Sequence, residues 1–381
     1  MLAPSQDQFA IQSMARQFAD ERIAPFALEW DEKKYFPTDT LKEAATLGMA
    51  AIYVREDVGG SGMGRLDAAL IFEALATGCP TIAAFLSIHN MVAWMIDAYG
   101  SEEQRQTYLP GLASMEQIAS YCLTEPSAGS DAAALKTKAT HSGSQYILNG
   151  TKQFISGAGA SDLYLVMART GDEGPDGISA FLIPKDAKGL SFGINERKMG
   201  WNAQPTRQVI LEDVTIPEDN RLGAEGLGFK MAMAGLNGGR LNIGACSIGG
   251  GQSALEKTLA YMAERQAFGQ KLDSFQALQF QLAAMASKLE AARTFLWRAA
   301  DALDHKTEDA IKLCAIAKYL ATDTGFEVAN NALQLHGGYG YLADYGIEKI
   351  VRDLRVHQIL EGTNEIMQLM ISRFLIKEHQ K

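Results

Sequence analysis

The sequence predicts an α+β multidomain chain. Residues 1–118 form an N-terminal helical domain, 119–226 a middle β domain of sandwich or barrel type, and 227–381 a C-terminal four-helix bundle. Three observations carry this reading. Apolar residues recur at helical spacing up to Ile118. Between Ile118 and Gly226, short β-branched and aromatic stretches are separated by turn signals such as Asn149-Gly150, Gly171-Asp172 and Pro217-Glu218. From Gly226 onward the helical pattern returns and stays. No long helical pattern falls between the strands, which argues against βαβ units.

Phe9, Met14, Phe18 and Ile23 place an opening helix over 5–28. Pro37 and Thr38 start a second over 38–48, ending near Gly48. The loop Gly59-Gly60-Ser61-Gly62-Met63-Gly64 lacks the lysine and spacing of a phosphate-binding loop, so it reads as turn geometry. Helices follow over 65–77 and 81–99. Ser101, with Gln104 three residues later, sets up a short helix over 101–108 through a capping box. Strands are expected at 145–148, 162–168, 178–183, 190–193 and 206–212, a spacing that suits a small sandwich or barrel. Helices are expected over 228–263, 275–303 and 307–333. A last one begins near Asn364, with Ile366, Met370 and Phe374 on one side. The stretch between the last two helices, from Leu335 to Glu361, reads as loops and short turns.

Bulk properties narrow the function. At 381 residues and 47% hydrophobic content the chain can bury a large core or two to three domains. A formal net charge of -10 makes nucleic acid an unsuitable partner, although a local basic pocket can still hold an anion. Cys79, Cys122, Cys246 and Cys314 include no CxxC pair and read as reduced, mostly buried thiols. No histidine pair has metal-ligand spacing, so no metal is expected. No uncharged apolar run appears long enough for a bilayer, and residues 1–20 show no secretory signal. A start at Met1 without a transit-like segment is expected of a bacterial cytoplasmic protein. A processed eukaryotic chain would instead sit in the mitochondrial matrix.

One acid stands out on residue chemistry. Glu361 follows His357-Gln358-Ile359-Leu360 and precedes Gly362, an apolar approach to a flexible point. There a carboxyl with a raised pKa can act as a general base, although such a glutamate can also be a solvated loop acid.

Four separated segments add to this reading. They are Tyr121-Cys122-Leu123-Thr124-Glu125-Pro126-Ser127-Ala128-Gly129-Ser130-Asp131, Arg265-Gln266-Ala267-Phe268-Gly269, Leu335-His336-Gly337-Gly338-Tyr339-Gly340 and Glu361-Gly362-Thr363-Asn364-Glu365. In order and spacing they resemble the acyl-CoA dehydrogenase family, over essentially the whole chain. The resemblance implies FAD as cofactor and an acyl-CoA as substrate. The α-hydrogen leaves as a proton and the β-hydrogen as a hydride to flavin N5. A thioester α-proton is weakly acidic, so the base must be close and the enolate oxygen must receive hydrogen bonds.

Residue by residue, Glu361 matches the family's base in its commoner position. Some relatives carry the base on a helix of the C-terminal domain, where this chain has Gly239, which cannot act. Arg240 matches an arginine near the substrate, and Asn237, Gly238 and Gly239 match contacts to the CoA thioester arm. Arg373 matches a further substrate-side position, or is simply a helix-end cation. Tyr121, Leu123 and Thr124 match contacts to the isoalloxazine ring. Ser130, in the same cofactor-binding run, matches a contact to CoA, with helix capping as the plainer role. Phe154, Ile155 and Ser156 match a second flavin segment, Phe154 standing where many relatives have Trp.

No GxGxxG follows a strand, so no Rossmann site is available for the dinucleotide. Arg265 matches the pyrophosphate donor, and Phe275 and Gln276 match positions near the adenosine half. Gln334, Leu335, His336, Gly337 and Gly338 match a run that reaches a neighbouring subunit's flavin, though His336 can also be a packed core histidine. Thr363, Asn364 and Glu365 match another FAD-contacting run. The resemblance then implies a homo-oligomer, either a homodimer or a tetramer built as a dimer of dimers.

Within the family, Ser87-Ile88-His89-Asn90-Met91, Gly200-Trp201-Asn202-Ala203-Gln204-Pro205-Thr206 and Gly235-Leu236-Asn237-Gly238-Gly239-Arg240 point to members acting on a short branched substrate. The reaction implied is isobutyryl-CoA to methacrylyl-CoA in valine catabolism, with electrons passing to electron-transfer flavoprotein. Because one methylene is worth only ~1–3 kcal/mol of discrimination, 2-methylbutyryl-CoA and butyryl-CoA stay open as substrates. An acyl-CoA oxidase, with oxygen as acceptor, is the other enzyme class.

Overall fold

A computed structural model describes residues 4–380. Three bodies follow one another: helices, a sheet, then long helices. The first holds α1 (Gln6–Phe18), α2 (Ala27–Lys33), α3 (Thr38–Thr46), α4 (Arg65–Gly78), α5 (Pro80–Tyr99) and α6 (Glu102–Ala113). The single opening helix expected over 5–28 is broken. A π turn occupies Ala19–Ile23 and Pro25, which has no N–H to donate, precedes α2. The capping box of α6 is present: Gln104 N–H donates to Ser101 Oγ, and Ser101 N–H to Gln104 Oε1, both at 3.1 Å. That helix runs on through Pro110 to Ala113, beyond its expected end.

α5 also corrects an expectation. By length and composition it is apolar enough to cross a membrane, yet 83% of the qualifying window is buried inside the molecule. Its apolar residues face the N-terminal core and α7 (Gly228–Glu264) rather than lipid. All four cysteines are buried, and among the described residues no cluster of His, Cys, Asp or Glu could hold a metal.

The middle body is one mixed sheet made of β1 (Ala119–Cys122), β2 (Lys138–Ser142), β3 (Gln145–Ser156), β4 (Leu163–Arg169), β5 (Ile178–Pro184), β6 (Leu190–Phe192), β7 (Thr206–Pro217) and β8 (Arg221–Leu222). Its order is β6-β7-β3-β2-β4-β5-β8, with β1 parallel to β4. Strands β1, β2 and β8 were not expected; each is too short, or too polar, to show a period. β3 extends eight residues past its expected end, through two irregularities opposite β7, between Leu148 and Gly150 and between Lys152 and Ile155. Phe154 lies in the second, with a left-handed φ of 59°. Bulges of this kind re-aim a side chain, and Phe154 stays 64% exposed at the end of a buried strand.

After α7 come the small hairpin β9 (Gln266–Ala267) and β10 (Gln270–Lys271). Then follow α8 (Gln276–Asp304), α9 (Ala310–His336), α10 (Ile347–Arg355) and α11 (Asn364–His379). The stretch expected to be only loops contains α10, whose Ile347, Ile350 and Leu354 are buried at helical spacing. Leu335 and His336 likewise belong to the end of α9. Two glycines set the tight contacts of this bundle. A side chain on Gly249 of α7 would collide with the carbonyl of Glu73 on α4. One on Gly325 of α9 would collide with the carbonyl of Ser247 on α7.

A buried polar network fastens α10 to the other two bodies. Lys349 Nζ donates to Asp353 Oδ2 at 2.6 Å, and Thr81 Oγ1 of α5 donates to the same oxygen at 2.9 Å. The backbone N–H of Trp201, in the loop between β6 and β7, donates to Asp353 Oδ1 at 2.7 Å. Trp201 Nε1 then donates to His357 Nε2 at 3.2 Å, so the proton of this neutral imidazole sits on Nδ1, 2.7 Å from Ser247 Oγ. Burial pushes the His357 pKa down to about 3, and the ring stays neutral at ordinary pH. Removing one partner of a buried pair leaves the other charge uncompensated. Asp353→Ala should destabilise the fold by about 3–5 kcal/mol, read as a lower melting temperature. Asp353→Asn, which can still accept from Trp201 N–H, should lose less.

Candidate active site

Glu361 sits in the turn between α10 and α11, and its backbone is strained. Its φ is 57° and that of Gly362 is 87°, two successive left-handed residues, of which the glutamate pays a penalty of order 1–3 kcal/mol. Cations hold the turn. Arg240 Nε of α7 donates to the Glu361 carbonyl at 3.2 Å, and its Nη1 to Asn237 Oδ1 at 2.7 Å. Lys318 Nζ of α9, fully buried, donates to the Gly362 carbonyl and to Asn364 Oδ1, both at 2.8 Å. Thr363 Oγ1 caps α11 by accepting from Ile366 N–H at 3.3 Å.

The carboxyl points onto α7 at Gly239. A Cβ there would lie 2.5 Å from Glu361 Oε2 and 2.8 Å from Cδ, so only glycine leaves room for the acid. Oε2 has no accessible surface and no hydrogen-bond partner, although part of the residue as a whole remains accessible. Burial pushes the carboxyl pKa up to about 7, while Arg240 and Lys318 pull against that rise. Lys318 feels the same desolvation with opposite sign: burial pulls it down to about 8, and Glu361 raises it. Arg240 is pulled down by burial and raised by Glu361. The Tyr121 hydroxyl of β1 is likewise buried without a partner, and burial, then Glu361, push its pKa well above the usual tyrosine value. The chemistry available is proton abstraction by a desolvated carboxylate in a setting poor in water.

Around this turn the chain assembles Glu361, Gly238, Gly239, Arg240, Asn237 and Tyr121, all expected from the sequence. Lys318 was missed, as were Arg65, Tyr53 and Trp94 on the far side of Gly238. Lys318 carried a readable signal: it is the one charged residue in the apolar run Leu313-Cys314-Ala315-Ile316-Ala317-Lys318-Tyr319-Leu320-Ala321. Other expected residues lie elsewhere. Ile155 is buried in the sheet core, so only its backbone is open to a ligand, whereas Phe154 is exposed. Ser156 Oγ accepts from Gln204 Nε2 at 3.2 Å, and its carbonyl accepts from Ser120 Oγ at 2.6 Å. The Leu123 carbonyl accepts from buried Lys152 at 3.1 Å, the Thr124 carbonyl from Gln153 N–H at 2.8 Å, and Ser130 is exposed. Asn364 is tied to α9, donating to Thr322 Oγ1 at 3.0 Å and Asp323 Oδ1 at 2.7 Å, so its side chain serves the turn; Glu365 is exposed. Arg373 is exposed nine residues into α11, about 14 Å along that helix from Asn364.

A second group gathers at the opposite end of the bundle. A cleft of about 520 Å³ is lined by Arg265, Gln334, Leu335, His336, Gly337 and Gly338, with Tyr261 and Tyr339. Arg265 stands over the Tyr339 ring at 5.1 Å. His336 is buried, stacked on Tyr261 at 4.4 Å with Nδ1 2.8 Å from the Ala332 carbonyl, which is the packed-histidine alternative. Phe275 packs edge-on near the exposed Phe268 at 6.4 Å, and Gln276 opens α8. Gln334 lies sixteen residues beyond Lys318 on α9, about 24 Å along the helix, so within one chain this cleft is remote from Glu361.

Gly239→Ala should push the carboxyl off its seat without disturbing α7, which alanine suits better than glycine. The expected outcome is at least a tenfold fall in turnover (about 1.4 kcal/mol) with retained helicity by circular dichroism.

Comparison with known proteins gives this geometry a family. Models of the acyl-CoA dehydrogenase N-terminal, middle and C-terminal domains match residues 5–116, 120–214 and 226–376. The chain is 56% identical to the mitochondrial isobutyryl-CoA dehydrogenase of Dictyostelium discoideum, and 54% identical to that of Bos taurus. Each match covers 98% of this chain and 90% of the relative. The butyryl-CoA dehydrogenase structure from Megasphaera elsdenii superposes with a TM-score of 0.95 at 35% identity, covering 98% of this chain and 99% of that one. The three-domain architecture, the three matched domains and the full-length relatives agree: the chain belongs to the acyl-CoA dehydrogenase family of FAD-dependent oxidoreductases.

Proposed function

We propose that this acyl-CoA dehydrogenase oxidises a short branched substrate, isobutyryl-CoA to methacrylyl-CoA in valine catabolism, with Glu361 as the base and electron-transfer flavoprotein as electron acceptor. The observation that carries the base assignment is the seat of Glu361. Its carboxyl is buried against a glycine, with one oxygen unpartnered and a pKa of about 7. The substrate assignment rests on the two relatives named isobutyryl-CoA dehydrogenase.

Glu361 takes the α-proton. Its raised pKa makes it a stronger base than a solvated glutamate while leaving it largely ionised above neutral pH. Lys318 and Arg240 hold the turn through its carbonyls, and as cations beside the site they favour the carboxylate that must form before each turnover. FAD supplies the hydride acceptor for the β-hydrogen. The exposed Phe154 ring offers it an aromatic face. Ser156, held by Gln204, offers a hydroxyl, and Tyr121 of β1, with Leu123 and Thr124 just past its end, offers the adjoining segment. The remote cleft of Arg265 and Gln334–Gly338 suits the dinucleotide half of a cofactor bound mainly by another subunit. That arrangement supports a homodimer as the minimal unit and a tetramer built from two such dimers.

Anaerobic flavin reduction across straight and branched C3–C6 acyl-CoAs tests the assignment, with isobutyryl-CoA expected to bleach the flavin fastest. No bleaching by any acyl-CoA would sink it. Glu361→Gln should keep FAD and lose at least about 1000-fold in the reductive rate, within the range for a general base. In the wild type, kcat/KM should rise with pH and reach half its plateau near pH 7, because only the ionised carboxyl abstracts the proton.

Stability should run the other way. The folded pKa of about 7 lies above the ordinary 4.5, so the native state binds the extra proton and loses stability as pH rises between those values. The loss amounts to about 3 kcal/mol. Glu361→Gln should therefore melt above the wild type at pH 8, with the two converging toward pH 5.

A further inference from the structure

We propose that Arg65 closes the acyl end of the substrate pocket and limits the chain length it accepts. The inference rests on the reading of Glu361 as the base of an acyl-CoA dehydrogenase and adds a specificity-determining residue to it.

Arg65 occupies an unusual place. It is the first residue of α4, where unpaired N–H groups concentrate positive potential and a cation is unfavourable. Asp304 of α8 offsets this by accepting the Arg65 N–H at 2.8 Å, and Asp67 accepts the Gly64 N–H at 2.8 Å. The residue is only 8% exposed. Its guanidinium lies over two aromatic faces, 3.8 Å from the Tyr53 ring centroid and 4.8 Å from that of Trp94. Aromatic faces hold a desolvated cation without a carboxylate. On a third side the guanidinium fills the space left by Gly238, where a Cβ would collide with Nη1 and lie 2.8 Å from Cζ.

The same contacts put Arg65 beside the base. Gly238 and Gly239 are consecutive on α7, one making room for Arg65 and the other for the Glu361 carboxyl. Tyr53 accepts from Asn242 Nδ2 at 3.2 Å, and Asn242 is three residues past Gly239, on the next turn of α7. Burial raises the Tyr53 pKa, Arg65 opposes the rise and Glu361 adds to it. Cys314 of α9 is pushed up to about 12 by burial, against the pull of both Arg240 and Arg65. Arg65, its two rings and the two glycines thus adjoin the Glu361 carboxyl, which an acyl group must reach to lose its α-proton.

An acyl chain lengthening toward Arg65 meets the desolvated guanidinium. The cation offers poor contact to an alkyl group, and the Tyr53 and Trp94 rings hold it in place. A short branched acyl group stops before it. A longer straight chain must pull the guanidinium off its two rings. An apolar pocket alone separates substrates differing by one methylene by roughly 10–200-fold, and a fixed cation extends that exclusion to each further carbon.

The test compares wild-type and Arg65→Met holoenzymes by kcat/KM on isobutyryl-, butyryl-, hexanoyl-, octanoyl- and glutaryl-CoA, with FAD content measured alongside. Arg65→Met should raise the hexanoyl-to-isobutyryl ratio at least about tenfold, chiefly through a lower KM for hexanoyl-CoA. Arg65→Lys, which keeps the charge but not the planar stack, should fall between. An unchanged ratio in FAD-loaded Arg65→Met overturns the proposal. So does a wild type that prefers glutaryl-CoA, which would make Arg65 a receptor for a carboxylate. If Arg65→Met does not retain FAD, Trp94→Leu removes one supporting face and must raise the same ratio; if it leaves the ratio unchanged, the proposal fails. A wild type that no acyl-CoA reduces is a different result, since it defeats the dehydrogenase reading itself.

Discussion

The site depends on one close approach, the Glu361 carboxyl against the bare backbone of Gly239. Any side chain at 239 would occupy the carboxylate's position. Any other turn conformation at 361–362 would aim the acid elsewhere. Both requirements work against stability: the turn is left-handed at a non-glycine residue, and an ionised carboxyl loses its water. Desolvation that destabilises the fold is also what lifts the pKa toward neutrality, so stability and basicity trade directly through one group. Lys318 and Arg240 hold this arrangement by binding the turn's carbonyls. Neither neutralises the carboxylate by direct contact, which would return its pKa to the ordinary range.

The turn also needs a rigid neighbourhood. Four residues before Glu361, His357 joins Ser247 of α7 to Trp201 of the middle body, and Asp353 ties the same loop to α5 and Lys349. Every member of this chain of donors and acceptors is buried, so displacing one leaves an unsatisfied group in the core. The loop continues to Gln204, which reaches Ser156 at the end of β3. Loop, strand end and the Glu361 turn are thus positioned by a single set of hydrogen bonds rather than by three independent surfaces.

The long helices separate two chemistries. Near Lys318 on α9 and Arg240 on α7 lies the buried seat of the Glu361 carboxyl, flanked by two cations. At the far ends of the same helices, Arg265 and the Gln334–Gly338 run line a solvent-open cleft suited to an anion and an aromatic ring. Helices of this length cannot bend the two ends together, so within one chain the cleft stays apart from Glu361.

Much of this was legible in the sequence, and the reasons divide cleanly. α5, α7, α8 and α9 announce themselves because each is an apolar or small-residue-rich run of twenty or more residues, too long for a strand. β1 and β2 do not, since four and five residues hold too few repeats to establish a period, and α10 carries its helical spacing over only nine residues between loop signals. Glu361 stands out in the sequence by residue chemistry, and the order and spacing of motifs add Arg240 and Gly239, which the structure places beside it. Tertiary structure decided the rest, because it depends on contacts between residues far apart in the chain. It seats Glu361 on Gly239, turns Asn364 into an anchor on α9, packs His336 under Tyr261 and lays Arg65 across Gly238. A residue's type sets what its side chain can do. Which neighbours desolvate, pair or confine it is settled only when segments such as 65 and 238, or 318 and 362, meet in space.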